Sequence, residues 1–221
     1  MDRPSQNSPR SERTTVRRRA NRGTYDLATI HAILDEALIC HVGFVQEGQP
    51  YVIPTLHARD GERLLIHGAA ASRMLRVASE SVPLCVTVTL LDGLVLARSA
   101  FHHSVNYRSV VLLGAATEIA GSDEKMEAMR LLVEHVCAGR WNDARRPNAA
   151  EFDATRVLTM PIDEASAKVR QGPPIDDEDD YTLSVWAGVL PLKLASGIPV
   201  ADPRLASSSK PPAYVLNYKR G

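Results

Sequence analysis

The sequence contains no apolar run of 18 residues, the shortest stretch that crosses a bilayer as a helix. Its N-terminus is polar and lacks the apolar centre of a secretory signal. Basic and acidic residues number 26 each, so no net charge draws the chain toward nucleic acid or an anionic membrane. These absences predict a cytoplasmic protein with neither a membrane nor a nucleic-acid partner. Its 221 residues suffice for one substantial core.

Cysteine is scarce as well, and common catalytic motifs are missing. The three cysteines, Cys40, Cys85 and Cys137, have no CxxC or metal-ligand spacing, which predicts reduced thiols within the core. No Gly-x-Ser-x-Gly motif is present and no cysteine lies in a basic context, so the sequence shows no nucleophilic triad. No GxGxxG motif follows the first predicted strand, which argues against a doubly wound dinucleotide fold.

Charge is uneven along the chain although it sums to zero. Residues 1–23 carry seven arginines and two acidic residues, and five carboxylates occupy residues 176–180. We interpret the first as a solvated tail and the second as a solvated loop. The predicted organisation is a disordered Arg-rich segment at 1–22, one domain at 23–194 and a C-terminal arm at 195–221 that is rich in Ser, Pro and Lys.

Apolar spacing predicts strands between and after two clear helices. Asp26 is the predicted N-cap of the first helix, and a second amphipathic helix follows Ser122 and stops at Gly139. Turn residues separate the strand-like runs. Six or more strands with hairpin signals predict a mainly β, antiparallel barrel with helices packed outside. The runs are 39–45, 51–58, 63–67, 84–90, 94–97, 107–119, 157–162 and 165–170.

The stretch from residue 64 to residue 76 has the pattern of an anion-binding corner. An apolar run ends in the small residues 68–71, and Ser72 and Arg73 then open a short predicted helix. Free backbone N–H groups at a helix start, a cap hydroxyl and a guanidinium together suit a terminal phosphate. An ordinary serine cap beside a surface arginine explains the same residues, and the local pattern leaves both interpretations open.

Histidines offer a second kind of candidate. Adjacent histidines on a strand point to opposite faces, so His102 and His103 do not share one metal in regular structure. Together with His57 and His67, they provide enough imidazole groups for a zinc or haem site. No carboxylate or cysteine stands at a supporting interval, so we predict no metal site.

Two single residues complete the set of candidates. Ser109 begins an apolar run, where its hydroxyl reaches either a bound heterocycle or a neighbouring carbonyl. Trp186 either lies against a flat ring system or fills a core or a dimer interface. Local sequence does not separate these alternatives.

Four segments occur in a fixed order, Pro50–Thr55, Ile66–Arg73, Asn106–Gly114 and Trp186–Pro191. Together they resemble the pyridoxamine 5′-phosphate oxidase-like FMN-binding split-barrel superfamily, in its flavin-nucleotide-binding branch that includes the nitroimidazole reductases. The resemblance implies a mainly β (β + α) fold, a six-stranded antiparallel split β-barrel with peripheral helices. It also implies a homodimer with FMN in a cleft between the subunits.

The resemblance assigns cofactor-binding roles around the phosphate. Ser72 and Arg73 match the family's Ser-Arg-Lys phosphate motif, with Met74 in place of the lysine. His67 and Gly68 match the strand end beside the phosphate and the ribityl chain.

Other positions correspond to residues near the flavin ring. Ser109 stands where the oxidases place a glutamine that contacts the flavin, and Trp186 matches a Trp-Gly-Gly segment contributed by the other subunit. The strand whose backbone lines the isoalloxazine corresponds to Val52, Ile53, Pro54 and Thr55.

The activity implied by the resemblance is that of an FMN-dependent oxidoreductase. It would take hydride from NAD(P)H and act on a small conjugated or nitroaromatic substrate. Val189–Leu192 replaces the Arg-containing motif by which the vitamin oxidases hold pyridoxal phosphate, so that classical oxidation is not expected. Three alternatives stay open: a non-enzymatic flavin carrier or sensor, a haem-binding split barrel with His102 or another histidine as axial ligand, and an F420-binding protein that uses Arg73.

Overall fold

The computed structural model describes residues 8–205 and 209–220. The strands are β1 (Gly23–Thr24), β2 (Ile39–Gln46), β3 (Gln49–Asp60), β4 (Arg63–Ala69), β5 (Leu84–Leu96), β6 (Ser104–Gly114), β7 (Thr117–Glu118), β8 (Thr155–Pro161), β9 (Ala165–Arg170) and β10 (Gly188–Pro191). The helices are α1 (Leu27–Glu36), α2 (Arg73–Ala78), α3 (Ser122–Val136), α4 (Arg140–Asp143), α5 (Ala149–Ala154) and α6 (Ala213–Leu216). Short 3-10 helices lie at Ala20–Arg22, Ala100–His102 and Glu178–Thr182.

The ten strands belong to one antiparallel sheet. Its order is β1-β9-β6-β5-β2-β3-β4-β8-β7, and β10 pairs with β5 on the same edge as β2. The first part of β3 pairs with β2 and its last four residues pair with β4, so this long strand joins the two halves of the sheet. In the described chain β1 and β7 end the sheet without pairing to each other, which leaves it open. The fold is a split β-barrel with peripheral helices, as predicted.

The sheet has more strands than the six of the prediction. Seven of its ten strands are six residues or longer, and the other three, β1, β7 and β10, are two to four residues long. Such short strands form because a longer neighbour offers unpaired N–H and C=O groups, which no local pattern reveals. The predicted strands at 84–90 and 94–97 are one strand, β5, with a register shift between Leu91 and Gly93.

The main core lies between the sheet and the helices α1 and α2. α1 begins at its predicted cap, where the Asp26 carboxylate accepts a hydrogen bond of 2.9 Å from the Thr29 N–H. Helical spacing places the apolar residues of each helix on one face. The three cysteines are free, as predicted, and burial raises the pKa of the Cys40 thiol to about 12. The buried helix residues are Ile30, Ile33, Leu34, Met74, Leu75, Val77 and Ala78.

A second, smaller core lies between α3 and the strands β3, β4 and β8. Successive residues of β4 alternate between the two cores, because strand side chains point alternately to opposite faces. Leu64 and Ile66 belong to the main core, whereas Leu65 belongs to the second. β4 therefore separates α2 on one face from α3 on the other.

Residues 8–22, predicted to be disordered, pack against the sheet instead. The Pro9 carbonyl accepts a hydrogen bond of 2.8 Å from the Ala165 N–H, and Arg13 pairs with Glu164. The Tyr25 hydroxyl accepts a 2.8 Å bond from the Val16 N–H. These contacts replace the apolar side chains that the segment lacks, and sequence composition does not show them. Residues 1–7 lie outside the described residues.

The C-terminal segment returns over α1 and α3. The Arg220 guanidinium donates to the carbonyls of Asp35 and Glu36 over 3.3 and 3.0 Å, at the end of α1. The Tyr214 hydroxyl donates to Asp143 over 2.6 Å. A guanidinium at the C-terminus of a helix satisfies carbonyls that have no partner within the helix.

No helix in residues 8–205 and 209–220 is both long enough and apolar enough to cross a membrane.

Candidate functional site

The corner between β4 and α2 is built by close packing. A Cβ at Gly68 would crowd the Leu75 Cδ1 atom at 3.0 Å, so glycine permits the strand to approach α2 this closely. The chain then turns, with the Ser72 N–H donating to the Ala69 carbonyl over 2.8 Å. The Ser72 carbonyl accepts from the Arg76 N–H over 3.0 Å, which starts the helix.

The polar groups of this corner are available to a ligand. In the described chain the Ser72 hydroxyl makes no capping hydrogen bond. The guanidinium carbon of Arg73 lies 4.2 Å from the centroid of the Tyr51 ring, and that ring stacks on Phe44 with 5.4 Å between centroids. The stack holds an exposed guanidinium in one place, where its N–H groups still face solvent.

The predicted ring-binding strand lies beside this arginine. Val52, Ile53, Pro54 and Thr55 occupy β3 opposite β2. Ile53 packs on the main core next to Tyr51, whereas Val52 is 65% exposed on the opposite face. The structure therefore brings the β3 segment and Arg73 together, through Tyr51.

Trp186 lies far from these residues within one chain. It precedes Gly188, which pairs with Leu96 near the end of β5. β2 pairs with β5 no further along than Thr87. The two β5 positions, Thr87 and Leu96, are nine residues apart, which is roughly 30 Å along the strand. The Trp186 ring is 68% exposed and lies over its own chain, at 2.9 Å from the position of a Cβ on Gly188.

Ser109 uses its hydroxyl inside the sheet. It donates to the Lys168 carbonyl on the neighbouring strand β9 over 3.2 Å. Of the two interpretations that the sequence leaves open, the structure shows the bond to a neighbouring carbonyl.

His67 lies on the other face of β4 from α2. It alternates with Gly68, so its side chain lies on the same face as Leu65, towards α3. It lines a groove of about 380 Å³ between β4 and the helices α3 to α5. The sequence assigns His67, Ser72 and Arg73 to one site, and the structure does not bring His67 together with the other two.

The His67 groove combines an apolar wall with a neutral imidazole. The Nδ1 atom is buried without a hydrogen-bond partner among the described residues. Burial lowers the pKa of His67, which keeps the ring neutral at pH 7 and able to ligate a metal. Arg140 and Arg145 are exposed at the rim. The apolar wall comprises Leu56, Met129, Leu132, Val133, Val136, Trp141, Ala144 and Pro147.

His102 and His103 lie in a different environment from the predicted strand. His102 ends a 3-10 helix, so the alternation expected of a strand does not apply to it. Its Nε2 atom lies 3.4 Å from the Asp177 carboxylate, and the His103 Nδ1 atom lies 3.0 Å from the Ser99 carbonyl. Loop contacts bring ligand atoms of His102, Asp177 and Asp180 within 4.8 Å of one another, a grouping that sequence spacing does not reveal.

The apolar spacing after Ser122 predicts an amphipathic helix but no groove beside it. In the structure Leu132 is buried in the second core, while the neighbouring Met129 and Val133 are only partly buried and line the groove. The sequence signal for this groove was an apolar stripe on α3 that is wider than burial in the core requires.

Comparison with known proteins identifies the class to which this fold and site belong. The family model described as pyridoxamine 5′-phosphate oxidase matches residues 26–169. The chain belongs to the pyridoxamine 5′-phosphate oxidase family, which confirms the resemblance found in the sequence. A search of the curated proteins finds no match.

Two solved structures match most of the chain. The flavocytochrome Anf3 from Azotobacter vinelandii is 42% identical, with a TM-score of 0.90 over 97% of this chain and 99% of that one. The FAD and heme binding protein from Mycobacterium smegmatis is 34% identical, with a TM-score of 0.85 over 88% of this chain and 96% of that one.

A third structure shows likeness of fold alone. It is a protein named for 5-nitroimidazole antibiotic resistance, from Bacteroides thetaiotaomicron. It is 24% identical, with a TM-score of 0.54 over 66% of this chain and 86% of that one.

Proposed function

We propose that this protein is a flavin- and haem-binding oxidoreductase. The observation that carries the proposal is the extent of its similarity to a flavocytochrome, at 42% identity over 97% of the chain. That similarity extends beyond residues 26–169 of the family match and takes in the Trp186 segment. The family match alone supports a flavin site, and the two-cofactor relatives together with the His67 groove extend the proposal to haem.

The flavin nucleotide, FMN or FAD, is proposed to bind with a phosphate at the β4–α2 corner. Ser72 and Arg73 have the free hydroxyl and guanidinium that a phosphate requires. The backbone of Val52–Thr55 lies close enough to Tyr51 and Arg73 to line the ring of the same ligand. Met74 points into the core, so the position that carries lysine in the phosphate motif adds no charge here.

A homodimer completes this proposed flavin site. Within one chain, roughly 30 Å of β5 separates the Trp186 segment from β2 and β3. Trp186 therefore reaches a flavin at Arg73 only from a second copy of the chain. Its 68% exposed ring and the 65% exposed Val52 are apolar surfaces that such a dimer would cover.

Haem is proposed to bind in the His67 groove. The groove meets the chemical requirements of this cofactor, since it has an apolar wall for the macrocycle and a neutral imidazole for the iron. The buried Nδ1 leaves Nε2 as the ring nitrogen that faces the groove. At the rim Arg145 pairs with Glu151 over 2.7 Å and Arg140 donates to the Tyr214 hydroxyl over 3.2 Å, so a propionate would bind Arg140 more readily than Arg145. His102, by contrast, lies beside Asp177 and outside this groove.

The proposed activity is reduction of a small conjugated or nitroaromatic substrate, with NAD(P)H as the electron donor. A bound flavin supplies the exchange between hydride and single electrons, and haem supplies one-electron transfer. The residues of the chain bind and orient the two groups and exclude water. No described residue is assigned as a general acid or base.

The experiment that tests this proposal is an absorption spectrum of the purified chain, with extraction of its cofactors. We expect flavin bands and a Soret band in one preparation, and chromatography of the extract distinguishes FAD from FMN. Consumption of NADPH with a nitroaromatic acceptor separates an enzyme from a carrier. A protein reconstituted with haem and with both flavins that shows neither spectrum would disprove the proposal.

Arg73→Glu should raise the flavin dissociation constant at least tenfold, which is about 1.4 kcal/mol. The substitution places a repelling carboxylate where a guanidinium would pair with phosphate. Arg76→Glu is the matched control, because Arg76 is an exposed arginine of the same short helix, three residues further on. Flavin binding is measured by quenching of flavin fluorescence. An equal change in both variants would show that Arg73 does not contact the phosphate.

A further inference from the structure

A second cavity, of about 540 Å³, has an unusual concentration of positive charge. It lies between the N-terminal segment, the start of β6 and the end of β9. Five cationic side chains line it, and we call it the cationic cavity. They are Arg18, Arg19, Arg22, Lys168 and Arg170. The first three belong to the segment that composition alone assigns to a solvated tail.

Arg170 is a buried cation without a carboxylate partner. It is 5% exposed, and its Nε atom has no hydrogen-bond partner among the described residues. Its remaining N–H groups donate to neutral oxygens, those of Asn106, Gly172 and Pro173. Burial and the nearby charge of Arg22 lower the pKa of Arg170. A buried guanidinium that lacks a counter-ion is costly, and an anion in the cavity would relieve that cost.

The carboxylates at the cavity do not neutralise these cations. Asp176 is bound to Arg98, through the side chain at 3.2 Å and the backbone N–H at 3.1 Å. Asp177 lies beside His102 at 3.4 Å. Within residues 8–205 and 209–220, none of the five cationic side chains lies within 4.0 Å of a carboxylate oxygen in an ion pair. Five cations against two carboxylates leave a net charge of +3 at the cavity.

A different, larger cavity contains an arginine whose charge is neutralised by two carboxylates, although Lys193 and Arg220 also line it. That cavity has a volume of about 730 Å³ and contains Arg108, Glu36 and Asp92. Its arginine binds both carboxylates, with 2.7 Å between the Arg108 Nη2 and Asp92 oxygen atoms. Arg108 of the larger cavity therefore has carboxylate counter-ions. The arginines of the cationic cavity have none among the described residues.

The cationic cavity also has an aromatic surface at its edge. Phe101 lines it and is 88% exposed, in edge contact with His102 at 5.1 Å between centroids. An exposed phenyl ring beside clustered guanidinium groups suits a flat base attached to phosphate. The volume exceeds what a single phosphate occupies and is within the range of nucleotide-sized ligands.

The geometry points to the cationic cavity as a binding site for the diphosphate group of a dinucleotide, with its base on Phe101. This inference rests on the proposed function only for the identity of the dinucleotide. A reduced nicotinamide dinucleotide has this chemistry and would place its diphosphate among the arginines of residues 18–22 and Arg170. The diphosphate of FAD includes the phosphate proposed for Ser72 and Arg73, so FAD at the cationic cavity is an outcome of the test and not the proposal.

The test compares the triple variant Arg18→Gln/Arg19→Gln/Arg22→Gln with the wild type, using the full chain as purified. Arg17→Gln is the matched control, because Arg17 is an exposed neighbour that pairs with Glu12 and does not line the cavity. Calorimetric titrations with inorganic pyrophosphate, FAD and NADPH provide the readout. We expect the triple variant to bind at least one of these at least tenfold more weakly, and the control to match the wild type.

The pattern across the three probes identifies the source. Weaker NADPH binding with unchanged FAD binding supports the nicotinamide dinucleotide, whereas weaker FAD binding with unchanged NADPH binding would overturn that assignment. Phe101→Ala should weaken the dinucleotide and leave pyrophosphate binding unchanged. Equal affinity of wild type and triple variant for all three probes would overturn the inference. Because pyrophosphate binding requires neither flavin nor haem, this result is distinguishable from failure of the proposed function.

Discussion

Replacing His67 with alanine should remove the Soret band of the purified protein while its flavin content stays the same. His67 is the histidine that lines the apolar groove between β4 and α3. Burial keeps its pKa low, so a neutral ring nitrogen is available to iron at pH 7. Loss of the imidazole that would hold the iron should lower the ratio of haem to protein at least tenfold. The β4–α2 corner proposed for the flavin lies on the opposite face of β4 and keeps its contacts.

Two controls make this prediction specific. His102→Ala replaces the histidine singled out by the sequence, which lies beside Asp177 and outside the groove, and should leave the Soret band intact. Free imidazole added to His67→Ala should restore haem binding, because it can enter the space left by the ring. A merely structural defect would not respond to imidazole. A normal Soret band in His67→Ala, or its loss in His102→Ala, would place the haem elsewhere.

His57 should make the protein less stable in acid. It is fully buried, and its Nε2 atom lies 3.0 Å from the Leu34 carbonyl, which accepts a hydrogen bond from the ring. Desolvation, more than the nearby charges of His135 and Arg220, lowers the pKa of His57 to about 4. The hydrogen bond to the Leu34 carbonyl and, with a smaller effect, the charge of Asp35 raise this pKa but do not outweigh desolvation.

The direction of the pH dependence follows from this depressed pKa. Below the usual histidine pKa of 6.5 the unfolded chain takes up a proton that the folded chain refuses until about pH 4. Stability is therefore lost as pH falls from about 6.5 to about 4, and His57 accounts for roughly 2–3 kcal/mol of the loss between pH 7 and pH 4.5. His67 and His135, whose pKa values are also lowered by burial, add to it.

Urea unfolding of wild type and His57→Gln at pH 7 and pH 4.5 measures this effect. Glutamine has an amide that can donate to the Leu34 carbonyl but does not titrate. The variant should lose less stability on acidification than the wild type, by roughly 2–3 kcal/mol. Parallel losses in the two proteins would show that His57 is already protonated, or solvated, in the folded state.

Much of the fold was predictable from local pattern. The Asp26 cap, the amphipathic helix after Ser122 and most strands lie where apolar spacing and turn residues place them. The short strands β1 and β10 were not predicted, because their pairing partners are distant in sequence. β7 lies within the predicted run 107–119, which the structure divides between β6 and β7. The packing of residues 8–22 against the loop before β9 was missed for the same reason.

For the candidate site, too, the sequence predicted some features and only the tertiary structure showed the others. The pattern of small residues followed by Ser72 and Arg73 is local, so the sequence alone identified the family and predicted a phosphate corner. Opposite faces of β4, however, assign Gly68 to α2 and His67 to a separate groove under α3. Neighbouring residues thus lie in two different environments, and only the packing of distant helices on a strand shows which side chain faces which of them. Likewise, the sequence shows the arginines of residues 18–22 only as a short basic run. The tertiary structure places Arg170 of β9 beside them and so forms a cavity lined by cations.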